Sequence, residues 1–156
     1  MKTLILYATK YGATAEIANR IAARLDNAIT HDLKQGSVPQ LKDFDCIIVG
    51  SSVYAGAFRK EAKTYIAQNA DVLIARKLGL FICSMGDGNE DEVFKKNVPD
   101  NVLHAAKTKA ALGGAFDPKK ANFFERLIMK AVAKQSGYID NINDEKINKF
   151  AEEMKE

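Results

Sequence analysis

The chain carries 156 residues, 47% of them hydrophobic and 28% charged, with only 3 prolines and 2 cysteines. That composition excludes intrinsic disorder, collagen-like repeats and a disulfide-stapled miniprotein. A net charge of +3 is too small to imply nucleic-acid binding. The length leads us to expect a single domain over residues 1–156. No apolar run approaches the ~20 residues that cross a bilayer, and the opening apolar stretch is too short for a signal peptide. Cys46 and Cys83 each lie inside an apolar run, without a CxxC spacing or a histidine at ligand spacing. They read as inert buried thiols, consistent with a cytoplasmic setting.

Taken in chain order, residues 2–8 form a short apolar run expected as a strand. Residues 13–25 place Ile17, Ala18, Ile21, Ala22 and Leu25 at helical spacing. Residues 28–33 read as a short strand, and 45–50 as an unbroken apolar strand bounded by charge and glycine. Helix is expected over 58–75, broken near Asn69, followed by a buried strand over 77–83. The stretch 89–107 reads mostly as helix, 109–116 as a fifth strand, 121–135 as helix, and 143–155 as a closing amphipathic helix. Continuous rather than alternating apolar runs indicate strands covered on both faces. Together they predict an α/β domain, a doubly wound five-stranded parallel sheet with helices on both faces.

Ligands of such sheets sit beyond the carboxyl ends of the strands, where strand order reverses. Three segments there carry suitable chemistry. After the first strand, Thr9-Lys10-Tyr11-Gly12-Ala13-Thr14 combines a sharp glycine turn, two hydroxyls and the free N–H groups of a helix start. It suits an anion, although neither GxxxxGK[ST] nor GxGxxG is present. After the third strand, Ser51-Ser52-Val53-Tyr54-Ala55-Gly56 reads as an open loop able to approach a flat ligand, with Tyr54 placed to stack on a ring. A carbonyl of the 54–56 turn is expected to accept a hydrogen bond from such a ligand, Gly56 allowing its peptide to reorient cheaply. After the fourth strand, Ser84-Met85-Gly86-Asp87-Gly88-Asn89 is a glycine-rich loop, and the acids at 90–92 read as a helix start.

On these three segments the chain resembles the flavodoxins over essentially its whole length. The 9–14 turn is similar to that family's T/S-x-T-G-x-T phosphate loop, with Tyr11 in place of the usual threonine, and Gly86-Asp87 matches its third-loop Gly-Asp. The resemblance implies strand order 2-1-3-4-5 and a bound FMN. Thr9, Lys10, Tyr11, Gly12, Ala13 and Thr14 would hold its phosphate; Ser51, Ser52, Val53, Tyr54, Ala55 and Gly56 would clasp the ring together with Ser84, Met85, Gly86, Asp87, Gly88 and Asn89. It also implies electron transfer between redox partner proteins. Two features depart from the family: no tyrosine follows Gly86-Asp87, and the chain is not acidic. Residues 116–130 with Gln135-Ser136-Gly137 resemble flavodoxin-type menaquinone-dependent protoporphyrinogen oxidases, which implies, as the alternative, an FMN oxidoreductase with a quinone as partner. The extended loop those enzymes carry after the fourth strand is abbreviated here to residues 89–107.

The fold's role in either case is to tune a flavin rather than to supply an acid, base or nucleophile. His31 and His104 are read as structural or solvent-facing. A receiver domain needs acids after the first and third strands, where this chain has Ala8-Thr9 and Gly50-Ser51. Over 121–135, Phe123, Phe124, Leu127, Ile128, Ala131 and Val132 share one face beside Arg126, Lys130 and Lys134. We expect that face to pack on the sheet rather than to dock on an anionic membrane surface.

Overall fold

The opening apolar run forms β1 (Thr3–Ala8) in the computed structural model, which describes residues 1–86, 89–116 and 139–156. It is followed by α1 (Ala13–Ala22), β2 (Ala28–Asp32), a 3-10 turn at Leu41–Asp43, β3 (Cys46–Tyr54) and the two-residue β4 (Ala57–Phe58). Then come α2 (Lys60–Gln68), α3 (Ala70–Ile74), β5 (Lys77–Cys83), α4 (Glu90–Asn97), α5 (Asp100–Ala105) and β6 (Ala106–Ala111). The ribbon strands β7 (Ala115–Phe116) and β8 (Ile139–Asp140) precede α6 (Asp144–Lys155). The helix expected over 121–135 lies outside the described residues.

Five strands pair in parallel in the order β2-β1-β3-β5-β6, as expected, and β4 adds a sixth, antiparallel to the end of β3. Side chains alternate across the sheet because successive Cβ atoms point to opposite faces. Leu4, Leu6, Ile47, Val49, Leu80 and Ile82 meet Ala62 and Ile66 of α2, Leu73 of α3, Phe94 of α4 and Val102 of α5. Ile5, Cys46, Ile48, Phe81 and Cys83 face the opposite way, onto Ile17, Ala18 and Ile21 of α1 and Ile147, Phe150 and Met154 of α6. Burial of both faces explains why the central strands read as unbroken apolar runs.

The differences from expectation have local causes. Helix α1 stops at Ala22 because Arg24 and Leu25 donate to the carbonyls of Ile21 and Ala22, tightening the last turn to i→i+3 bonds. Strand β3 continues past Gly50 to Tyr54, so Ser51–Tyr54 are strand rather than open loop. Gly50 is no strand end: it pairs in register with Phe81, and a Cβ there would lie 2.0 Å from the Phe81 ring. The fifth strand begins at Ala106, not 109, and ends at Ala111. It is an edge strand whose exposed Lys107 and Lys109 alternate with half-buried residues, so its start is not an apolar run. Beyond it, the chain turns at Gly113 (φ 85°), and β7 pairs with β8 in a separate antiparallel ribbon. The helix break at Asn69 and the helix start at residue 90 stand as read.

Candidate functional site

Strand register brings the three segments to one edge of the sheet. Ala8 of β1 pairs with Ser51 of β3, and Ser51 and Ser52 pair with Ile82 and Cys83 of β5. At about 4.8 Å between strands, the outer two of these chains lie roughly 10 Å apart where they leave the sheet. Strand order reverses here, since β2 lies on one side of β1 and β3 on the other.

The first turn is built around Gly12, which takes φ 100° and serves as the N-cap of α1. Thr9 is not that cap; its Oγ1 accepts the Gly12 N–H at 2.9 Å and closes the turn in front of the helix. Lys10 is exposed, with Nζ 5.2 Å from the centre of the half-buried Tyr11 ring. No side chain caps α1, and its first helical hydrogen bond runs from Glu16 N–H to Gly12 O. The amides of Ala13, Thr14 and Ala15 therefore precede the helical ladder and point toward the strand ends with the positive end of the helix dipole. Thr14 is fully buried, and its Oγ1 has no hydrogen-bond partner. It approaches the Cys83 thiol closely enough to favour the thiolate slightly, but burial dominates and pushes that thiol up to about 11. A buried hydroxyl with no nitrogen or oxygen partner costs ~1–3 kcal/mol, and an acceptor brought from outside the chain to the start of α1 would relieve it. A phosphate fits this donor set.

The second segment is a hairpin. Val53 pairs with Phe58 and Tyr54 with Ala57, leaving Ala55 (φ 50°) and Gly56 (φ 76°) as the two turn residues. Two successive positive φ values are the signature of a tight hairpin turn, and a left-handed alanine costs about 1–2 kcal/mol. Tyr54 is 52% exposed, leaving its ring free to face a ligand. Ser51 is fully buried; its hydroxyl donates to Ser52 O (2.8 Å) and accepts from Arg59 N–H (2.9 Å). Its side chain is thus committed to the base of the hairpin. Ser52 and Val53 are half-buried in the strand.

In the third segment, Ser84 donates its N–H to Gly113 O (3.1 Å), and its Oγ accepts the Gly86 N–H (3.2 Å). Gly114 backs this turn so closely that a Cβ there would meet Ser84 O at 3.0 Å. Met85 is half-buried and Gly86 exposed. Asp87 and Gly88 lie outside the described residues. Asn89 caps α4, its Oδ1 accepting from Asp91 and Glu92 N–H at 3.1 and 3.3 Å, with Glu90, Asp91 and Glu92 filling the first turn.

Sequence reasoning missed Asn97. This residue is 4% exposed, and its amide joins α4 to the hairpin: Oδ1 accepts from Phe58 N–H, while Nδ2 donates to Gly56 O and Val93 O. The Gly56 carbonyl, one of those expected to face a ligand, is therefore already engaged from below. Nothing in the pattern Lys95-Lys96-Asn97 distinguishes this side chain from its exposed neighbours.

Among the described residues no helix is long and apolar enough to cross a membrane. A family profile described as a flavodoxin domain matches residues 4–142. The chain is 24% identical over 154 residues to the protoporphyrinogen IX dehydrogenase [quinone] of Escherichia coli K12, covering 88% of this chain and 81% of that one. A Leishmania major protein of the same name is also 24% identical, over 87% of this chain and 64% of its own. Among solved structures, a flavodoxin from Streptococcus pneumoniae TIGR4 superposes with TM-score 0.61 at 17% identity, covering 99% of this chain and 98% of that chain. A flavoprotein in complex with FMN from Lactobacillus acidophilus gives TM-score 0.51 at 17% identity, covering 72% and 91%.

Proposed function

Because the chain belongs to the flavodoxin-domain family, we propose that it binds FMN at the junction of β1, β3 and β5 and carries electrons between redox partner proteins. The observation that carries this reading is the first turn: uncapped amides at the start of α1 beside a buried hydroxyl without a partner. A phosphate dianion satisfies both deficits at once. Residues 9–14 would hold the phosphate, with Thr14 as its hydroxyl donor. The 54–56 turn and the 84–89 loop would flank the ring, Tyr54 offering its exposed face and the loop its backbone groups. Bound FMN supplies reversible one- and two-electron chemistry.

The chain's own contribution is electrostatic and steric. Lys10 stands at the phosphate turn, and Lys96 Nζ lies 3.7 Å from where a Gly56 Cβ would be. Cations at that rim favour a ligand that gains negative charge on reduction. Glu90, Asp91 and Glu92, at the end of the 84–89 loop, oppose that charge. The buried free thiols Cys46 and Cys83 fit a reducing cytoplasm.

The names of the curated relatives favour one second reading, an FMN-dependent oxidoreductase that oxidises protoporphyrinogen with a quinone as acceptor. The test is the visible spectrum of protein purified without added cofactor, identification of any released flavin, and titration of stripped protein with FMN and with riboflavin. We expect yellow protein that binds FMN more tightly than riboflavin. Folded protein that ignores saturating FMN would overturn the reading. Protoporphyrinogen turnover with menaquinone then separates the enzyme from the carrier.

A further inference from the structure

We propose that Asn97 is a positioning residue for the flavin site: it holds the Gly56 carbonyl and so withholds it from the bound ring. The proposal rests on the FMN reading above. The hairpin is short, paired only through Val53–Phe58 and Tyr54–Ala57, and its turn includes the left-handed Ala55. Such a turn keeps one geometry only if its surroundings impose it. Two contacts from α4 do so. Phe94 packs edge-on against Phe58, with ring centres 6.2 Å apart. Asn97 accepts from Phe58 N–H at 3.1 Å and donates to Gly56 O at 2.8 Å, while a second bond to Val93 O (2.8 Å) fixes its own amide.

Helix α4 starts directly after the 84–89 loop, capped by Asn89. One short helix thus joins the two segments proposed to clasp the ring, and Asn97 is its grip on the hairpin. A flavin gains an N–H donor on reduction, and a free peptide carbonyl beside it would favour the reduced form. Asn97 Nδ2 holds the Gly56 carbonyl oxygen toward α4, so the peptide must reorient before it can serve the ring. Releasing it loosens the clasp on oxidised flavin and offers the reduced flavin a new partner.

The experiment compares wild type, Asn97→Ala, Asn97→Asp and Val102→Ala. Val102 is fully buried on α5 and has no hairpin contact among those above, so its truncation controls for lost stability alone. Three quantities are read: amide exchange at Phe58 in flavin-free protein, the dissociation constant for oxidised FMN, and the ratio of oxidised to reduced dissociation constants. For Asn97→Ala we expect Phe58 protection to fall to the level of exposed turns and oxidised FMN to bind about tenfold more weakly. The ratio should shift severalfold toward the reduced form. Asn97→Asp keeps the acceptor for Phe58 but loses the donor to Gly56, so Phe58 should stay protected while oxidised FMN still binds more weakly; loss of Phe58 protection in this variant would refute the role given to Oδ1. Val102→Ala should move neither Phe58 protection nor the ratio. An unchanged ratio in Asn97→Ala, or a change matched by Val102→Ala, overturns the proposal. Wild type that binds no FMN overturns the function reading instead, and retained Phe58 protection in Asn97→Ala refutes the tie even then.

Discussion

Replacing Thr14 with valine should make the ligand-free protein more stable and the flavin complex weaker. Thr14 is fully buried and its hydroxyl has no partner beyond the weakly accepting Cys83 thiol, so without ligand it carries much of the desolvation cost of an unsatisfied donor, ~1–3 kcal/mol. Valine keeps the branched shape, and its helix propensity is close to that of threonine. We expect a gain of about 1 kcal/mol, which for a chain of this size raises Tm by roughly 2–4 °C. Binding moves the other way. A hydroxyl donating to a phosphate contributes ~1.5–3 kcal/mol, so FMN affinity should fall by roughly one to two orders of magnitude. Riboflavin, lacking the phosphate, should bind both proteins equally. Thr3 supplies the control: it too is fully buried, its Oγ1 beside the Cys46 thiol and otherwise without a partner, at the opposite end of β1. Thr3→Val should raise stability without touching FMN affinity. The assays are urea unfolding of stripped protein and flavin fluorescence titration. A Thr14→Val protein that is less stable without ligand, or that binds FMN as wild type does, refutes the reasoning.

Two further outcomes test the packing behind the site. Gly50→Ala should cost about 1–3 kcal/mol by overpacking, because its methyl would lie 2.0 Å from the buried Phe81 ring; in urea unfolding, adding Phe81→Leu should recover part of the loss. Burial holds the Cys83 thiol at about 11 against an ordinary 9.0, and Cys46 is raised in the same direction. Above pH 9 the unfolded chain loses these protons first. The stabilisation from Cys83 present below pH 9 therefore drains away between pH 9 and 11, by up to ~1.4 kcal/mol per pH unit, and Cys46 contributes with the same sign. Urea midpoints at pH 8 and 10.5 should diverge less in Cys83→Ala than in wild type; an identical pH dependence would contradict this account.

The sequence pattern alone determined the parallel sheet with both faces covered; its strand order followed from the family resemblance. Runs such as 78–83 are free of polar residues because both faces are covered, and that signal is local, so it marks the central strands and their parallel pairing. The tight turn at 9–14 was equally legible, since a glycine between hydroxyls at the start of a helical pattern is read from neighbouring residues. Tertiary structure decided what those residues are free to do. Ser51 resembled a ligand donor but is buried, with its hydroxyl spent on Arg59 N–H; Thr14, of the same chemistry, is buried and left without a partner. The extension of β3 beyond Gly50 depended on a Phe81 ring 31 positions away in the chain filling the missing side chain. Asn97 acquired its role from a hairpin about 40 positions upstream. Periodicity and turn chemistry are encoded between near neighbours, whereas hydrogen-bond satisfaction depends on which distant backbone groups the packed sheet brings within 3 Å, and no single stretch of sequence contains that information.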